Sequence, residues 1–319
     1  MFFRYYRMLR RLFIIVALAI TCVGESVAQY DASFSHFFAM EPSFNPGAVG
    51  KQSYLNVAAA YALDMAGYEH NPRSMYVGAD MPVRFLQQNH GIGVQLLNDQ
   101  LGLFTHRRLS LQYAFKHKLW GGMLSVGLQA DFLSEQFKGS EVDAEESNDP
   151  ALPQSDVTGS AVDMAFGAYY MRGPWYAACS VQHLTAPLVS LGDTYQLQID
   201  RTYYFTGGYN IRFRNPFLMM KTSVLLRTDG VDSRADVNLR CVYSHERRML
   251  YGGATYSPEH SVTLLAGGLF HGVRIGYSYE IYTSGVNPGN GSHGLFVGYQ
   301  HAIHFGQKGK NIHKSVRIL

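Results

Sequence analysis

The 319-residue chain is short of charge, of cysteine and, after its first residues, of any long hydrophobic run. Only 16% of its residues are charged and the formal net charge is +3, too small and too dispersed for a nucleic-acid surface. Beyond the N-terminal segment, cysteine is limited to Cys179 and Cys241, which share parity with the apolar residues of their segments and read as small outward-facing side chains instead of a disulfide framework. Past residue 29 no stretch is long and apolar enough to cross a bilayer as a helix, so any crossing must be made by strands. Catalytic motifs are missing too: there is no G-x-S-x-G elbow, no H-E-x-x-H and no glycine-rich phosphate loop. The adjoining pairs His260–Ser261 and Ser292–His293 cannot act as base and nucleophile, because neighbours on a strand point to opposite faces. No residue is assigned a catalytic, cofactor or metal role, and the chain reads as no enzyme.

What is present is 32 Gly, 22 Tyr and 19 Phe, the palette of strands, tight turns and aromatic girdles. The first residues have another character. Arg4, Arg7, Arg10 and Arg11 precede an apolar run from Leu12 to Val23, and Ser26 and Ala28 supply the small residues of a cleavage site, so residues 1–28 read as a signal peptide. Cys22 fits a lipidation box poorly, with Ile20 and Thr21 before it.

From residue 53 the chain alternates. Leu109, Leu111, Tyr113 and Phe115 share one face, with Arg108, Ser110, Gln112, Ala114 and Lys116 on the other. Val237, Leu239, Cys241 and Tyr243 oppose Asp236, Asn238, Arg240 and Ser244; Val273, Ile275, Tyr277, Tyr279 and Ile281 oppose Arg274, Gly276, Ser278 and Glu280. Fourteen such segments run to residue 305, which is the signature of an all-β fold, a transmembrane antiparallel β-barrel of about 14 strands. A lipid-facing Arg at mid-bilayer costs roughly 2–4 kcal/mol, so the polar set belongs in the lumen. Connections after even-numbered segments are tight, whereas 138–157 and 185–200 are long, so the sequence expects short periplasmic turns, longer outer loops and both termini periplasmic. The acidic loop carrying Glu141, Asp143, Glu145, Glu146, Asp149 and Asp156 lacks EF-hand spacing and reads as solvated. Inner turns and the tail 306–319 are basic, a match for a periplasmic partner with an acidic face. Gly127, Gly208 and Gly253 read as lipid-facing.

One stretch is neither strand nor helix: "QYDASFSHFFAMEPSFNPGAVG", Gln29 to Gly50. It resembles the mature N-terminus of the PorP/SprF family of type IX secretion system membrane proteins, with Phe34, Ser35, Phe37, Asn45, Pro46, Gly47 and Gly50 keeping the family pattern. "HGIGVQLLNDQLG", "SVQHLTAPLVSL", "RTYYFTGGYNI", "VRIGYSYEIYTSG" and "GSHGLFVGY" resemble further family boxes in the same order. Two positions depart from the pattern: the proline usual near the mature start is missing, and Gly294 stands where the family has an acid. The resemblance is closest to the PorP branch.

That resemblance implies a non-enzymatic outer-membrane subunit required for export or surface attachment of proteins with C-terminal sorting domains. Its implied partners are a periplasmic lipoprotein ring, a peptidoglycan-binding lipoprotein and a large barrel translocon, besides the lipid bilayer. Residues 29–52 would lie at the inner mouth as a plug or partner-binding segment, with Phe34, Ser35, Phe37, Asn45, Pro46 and Gly47 as candidate contacts. Their phenylalanines favour packing, since fully burying one is worth about 1.5–3 kcal/mol. The alternative reading is an outer-membrane channel for small or hydrophobic solutes with an N-terminal hatch.

Overall fold

The computed structural model describes residues 31–303 apart from 86, 142–154, 193–194, 247 and 284–289. The signal peptide, the basic tail and most of the acidic loop therefore lie outside the described residues. The first wall of strands is β1 (Tyr54–Leu63), β2 (Arg73–Phe85), β3 (Gln88–Leu101), β4 (Phe104–Leu119), β5 (Gly122–Phe137), β6 (Val157–Arg172) and β7 (Trp175–Gln182). A small hairpin follows, β8 (Leu188–Leu191) and β9 (Tyr195–Gln198). The second wall is β10 (Thr202–Arg212), β11 (Leu218–Thr228), β12 (Ser233–His245), β13 (Arg248–Ser257), β14 (Ser261–Phe270), β15 (Val273–Tyr282) and β16 (Ser292–Ala302).

Fourteen of these strands form one closed antiparallel barrel, in which β7 pairs with β10 and β1 closes on β16. The number and the faces agree with the alternation. On β4, Leu109, Leu111, Tyr113 and Phe115 are exposed outside, while Arg108, Ser110, Gln112, Ala114 and Lys116 are buried inside. Closure leaves no unpaired edge, which is what a strand-built membrane span requires, since lipid offers the backbone no hydrogen bonds. Among the described residues no helix is long and apolar enough to cross a membrane. Cys179 and Cys241 are free and exposed.

The rim where β1 begins is here the near rim, and the opposite one the far rim. Near-rim connections are tight; Trp120–Gly121 and His271–Gly272 each place two residues in the left-handed region, as primed hairpin turns demand. Far-rim connections include the long ones. One of them turns inward: β8–β9 packs Val189 and Ile199 against Leu133 of β5, with Ala161 of β6 beside them. A Cβ at Gly159 of β6 would sit 2.4 Å from the Ser190 carbonyl oxygen, so only glycine admits the hairpin this close.

The three glycines expected to face lipid face the lumen instead. A Cβ on Gly127 would meet the Pro46 carbonyl carbon at 2.2 Å, one on Gly208 the Tyr176 ring at 2.4 Å, and one on Gly253 the Arg240 Cγ at 2.9 Å. Each makes room for something inside the barrel.

Candidate functional site: the filled lumen

Residues 31–51 enter the barrel and run along its lumen. Pro42 and Pro46 cannot donate a backbone hydrogen bond, which rules out a continuous helix or strand. The segment folds into three single 3₁₀ turns, η1 (Phe37–Ala39), η2 (Glu41–Ser43) and η3 (Pro46–Ala48). The sequence reading sets this segment at one mouth. The structure starts it in the far half, where Asp31 meets Arg108, His183 and Tyr204, and brings it to the near half, where Gly50 donates to Asp80 at 2.8 Å and accepts from Lys116.

A chain without regular structure must find acceptors and donors for its backbone elsewhere. Here the wall supplies them. Gln112 donates to the Pro42 carbonyl at 2.7 Å, while Ser180 and Gln182 both donate to the Phe44 carbonyl, at 2.6 and 2.7 Å. Asn45 is the hinge of the arrangement: its side-chain oxygen accepts from Gly47 N–H at 2.8 Å, and its amide donates to the Ala168 and Cys179 carbonyls at 3.3 Å. Pro46 and Gly47 then lie flat on Gly127 and Gly167.

The aromatic side chains fill what remains. Phe37 and Phe44 pack with Tyr204 and Leu225. Phe34 meets the Tyr76 ring edge-on at 6.2 Å, within a cluster of Met40, Ala58, Ala60 and Phe296. His36 stacks on Phe296, and the Arg240 guanidinium covers the Phe38 ring at 3.3 Å. Ser35 lies beside Gly294 of β16, so the position that departs from the family pattern faces the lumen, where a Cβ would meet the Ser278 hydroxyl at 2.3 Å. Of the six candidate contact residues, Phe37, Asn45, Pro46 and Gly47 are buried, Phe34 and Ser35 partly so, and all face this barrel's own wall.

The far end is fastened by charge. Asp31 accepts from Tyr204 at 2.7 Å and lies 3.2 Å from His183 Nε2 and 3.5 Å from Arg108. The other ring nitrogen of His183 is 2.7 Å from Asp163, which also accepts from Thr185. Asp31 and His183 both lie outside the strands. Burial opposes the Asp31 charge, but the His183 and Arg108 charges and the hydrogen bonds hold its carboxyl well below the usual range. Burial would likewise depress His183, yet the Asp31 charge and the bonds to Asp163 and Asp31 raise it to about 9. The imidazolium is therefore clamped between two carboxylates at neutral pH. His183 itself sits at φ 55°, a left-handed conformation that side chains other than glycine rarely adopt.

Sequence reasoning did not single out Asp31, Asp163, His183 or Tyr204 as a group. The inward parity of Asp163 and Tyr204 was legible, but not that they would meet a residue of the N-terminal segment. The Ser292–His293 pair is split as expected: Ser292 shares a 2.7 Å hydrogen bond with Tyr282, while His293 turns to Tyr277. A cavity of about 30 Å³ remains between the segment and the wall, bordered by Asp31, Phe34, Tyr76, Arg108 and Arg227. That is room for a water molecule or so.

Comparison with solved structures returns barrels of low identity. The CymD monoaromatic hydrocarbon channel is similar with a TM-score of 0.51 at 8% identity, over 83% of this chain and 93% of that one. The toluene transporter TbuX of Ralstonia pickettii gives 0.48 at 11% identity over 88% and 97%, and a Pseudomonas aeruginosa FadL homologue 0.42 at 9% over 79% and 89%. At these identities the likeness speaks of fold alone. No curated protein matches the chain in sequence. A family model does, described as type IX secretion system membrane protein PorP/SprF, across residues 26–299. With that match taking in the lumen segment and every barrel strand but the last three residues of β16, the chain belongs to the PorP/SprF family of type IX secretion system membrane proteins.

Proposed function

We propose that this chain is a non-enzymatic outer-membrane subunit of the type IX protein secretion machinery, closed to solutes and working through contacts with other secretion components. One observation carries the closed state: residues 31–51 occupy the lumen and are tied to its wall by hydrogen bonds from β4 and β7 and by the Asp31–His183 ion pair. Family membership supports the secretion role. The near rim is read as periplasmic, because outer-membrane barrels keep their short turns on that side. Its exposed cations, among them Lys118, Arg172, Arg214 and Arg248, then face the periplasmic components.

The test compares proteins of the medium and cell surface between a strain lacking the gene and its complemented parent. Loss of many proteins sharing a C-terminal sorting domain, with precursors held in the periplasm, supports a general export subunit of the PorP kind. Loss of one or two adhesins makes it a dedicated partner barrel. An unchanged profile refutes the secretion reading. The channel reading draws on the fold shared with a hydrocarbon channel and requires a lumen that opens. Flux of small or hydrophobic solutes through the purified protein in liposomes decides between the two.

A further inference from the structure

The near part of the lumen is covered on one side only. η3 lies against β4–β7, and there Gln112, Ala114, Lys116 and Ser125 are buried. Across the lumen, Lys221 of β11, Arg240 of β12, Tyr251 of β13 and Arg274 of β15 point inward yet stay half-buried. The second wall thus borders water at the near mouth, and three of these four side chains are cations.

Lys221 and Arg240 are direct register partners, and Arg274 stands near the start of its strand at the same rim. Their direct hydrogen-bond and ring contacts are with neutral groups; the carboxylates that act on them at longer range are Glu41, which pairs with Lys51, and Asp80, which accepts from Asn56 and Gly50. Arg240 covers Phe38 and donates to the Ser223 hydroxyl at 3.4 Å; Arg274 lies 5.2 Å from the centre of the Phe296 ring and donates to Asn56. Among the described residues, the ion pairs formed by Lys and Arg belong to other side chains, and the buried Nε–H groups of Arg240 and Arg274 have no acceptor. The space is built for them: a Cβ at Gly253 would crowd Arg240 at 2.9 Å, and one at Gly298 would crowd the Arg274 guanidinium at 2.9 Å. Half-buried guanidiniums whose terminal nitrogens bond only a neutral hydroxyl or amide favour an anion that can take two hydrogen bonds at once. Cations of one sign in a low-dielectric cleft also focus their field outward and attract such a group.

We propose that the near mouth is a docking site for a carboxylate-rich segment of another polypeptide, whose acidic side chains complete the Lys221–Arg240–Arg274 set. A polypeptide is favoured over a lipid headgroup because the barrel wall separates these lumen cations from the bilayer, whereas an extended chain enters the mouth from water. The Tyr251 and Phe38 rings beside the cations suit such a chain. The inference deepens the scaffold reading and rests on it for the partner being a secretion component; the site itself is tested without reference to export.

The probe is a short fluorescein-labelled glutamate-rich peptide, titrated by anisotropy against the full chain purified in detergent, with a glutamine-rich peptide of equal length as control. The glutamate peptide is expected to bind with salt-dependent affinity and the glutamine peptide not to bind. Lys221→Gln removes a charge that the lumen segment feels only at longer range, through Glu41 and Lys51, and should weaken binding by about threefold, the worth of one half-exposed ion pair. Combining it with Arg240→Gln and Arg274→Gln should weaken it at least about tenfold, or about 1.4 kcal/mol, while Arg172→Gln with Arg214→Gln, exposed on the near rim away from these three cations, should leave it within twofold. Equal affinity for both peptides, or unaltered affinity in both lumen variants, overturns the site. Saturable binding of inorganic phosphate without peptide binding overturns the choice of a polypeptide. Normal export by a strain carrying Lys221→Gln and Arg274→Gln, with peptide binding lost, leaves the site standing and removes its role in secretion.

Discussion

Removing the Asp31 carboxylate should unlatch the lumen segment. The group is 6% exposed and faces His183, whose other ring nitrogen meets Asp163; these two are 1% and 0% exposed. Asp31→Ala removes one of the two carboxylates that hold the His183 charge and the one that faces Arg108, and removing one partner of a buried pair costs about 3–5 kcal/mol. Because Asp31 is attached to the wall only at this end, the loss falls on detachment of residues 31–37 and not on the barrel ladder. At 1.4 kcal/mol per tenfold change, opening becomes about a hundredfold to several thousandfold more frequent. The assay is the rate at which a membrane-impermeant maleimide labels Ala32→Cys, in a background where Cys179 and Cys241 are serine. With and without Asp31→Ala, the labelling rates should differ by about two orders of magnitude if opening limits labelling, and the variant should show conductance bursts in planar bilayers. Labelling rates within twofold of each other would refute the latch.

The latch should also respond to pH. His183, held at about 9, stabilises it fully below its unfolded value near 6.5 and loses that contribution as pH rises through about 9; Ala32→Cys labelling, normalised to the rate for a free thiol at each pH because the thiolate is the reactive form, should therefore accelerate between pH 7 and 10, and this excess should be lost with Asp31→Ala. Gly127→Leu drives a side chain into the Pro46 backbone and should destabilise the packed segment by about 1–3 kcal/mol, read as a lower temperature for the heat-induced gel shift. Leu111→Arg places a charge on the outer face near the middle of β4, where the leucine is 63% exposed, and should cost about 2–4 kcal/mol in urea unfolding from vesicles.

How far the fold was legible follows from what each residue signals by itself. Leu109 and Arg108 declare opposite faces because each side chain has one tolerable solvent, and the alternation repeated over fourteen strands leaves a closed barrel as the consistent solution. Glycine makes no such declaration. Gly127 was placed on the wrong face although Gln129 and Asp131 on the same parity point inward, and only the Pro46 backbone against it gives the reason for its missing side chain. The β8–β9 hairpin was read as an outer loop, since two strands of four residues carry too little period to disclose an inward turn.

The sequence alone determined the fourteen strands of the barrel and which of their faces turn outward, because side-chain alternation is a local property with a period of two. It also marked residues 29–50 as aromatic and turn-rich, unable to extend or coil. Where that segment goes was decided by tertiary structure. Asp31 finds His183 at a separation of 152 residues and Tyr204 at 173, and Asn45 finds the Cys179 carbonyl at 134. Such meetings have no signature along the chain; they exist only once closure has turned the polar faces of fourteen strands toward one another and left a lumen whose backbone donors and acceptors the N-terminal segment can satisfy.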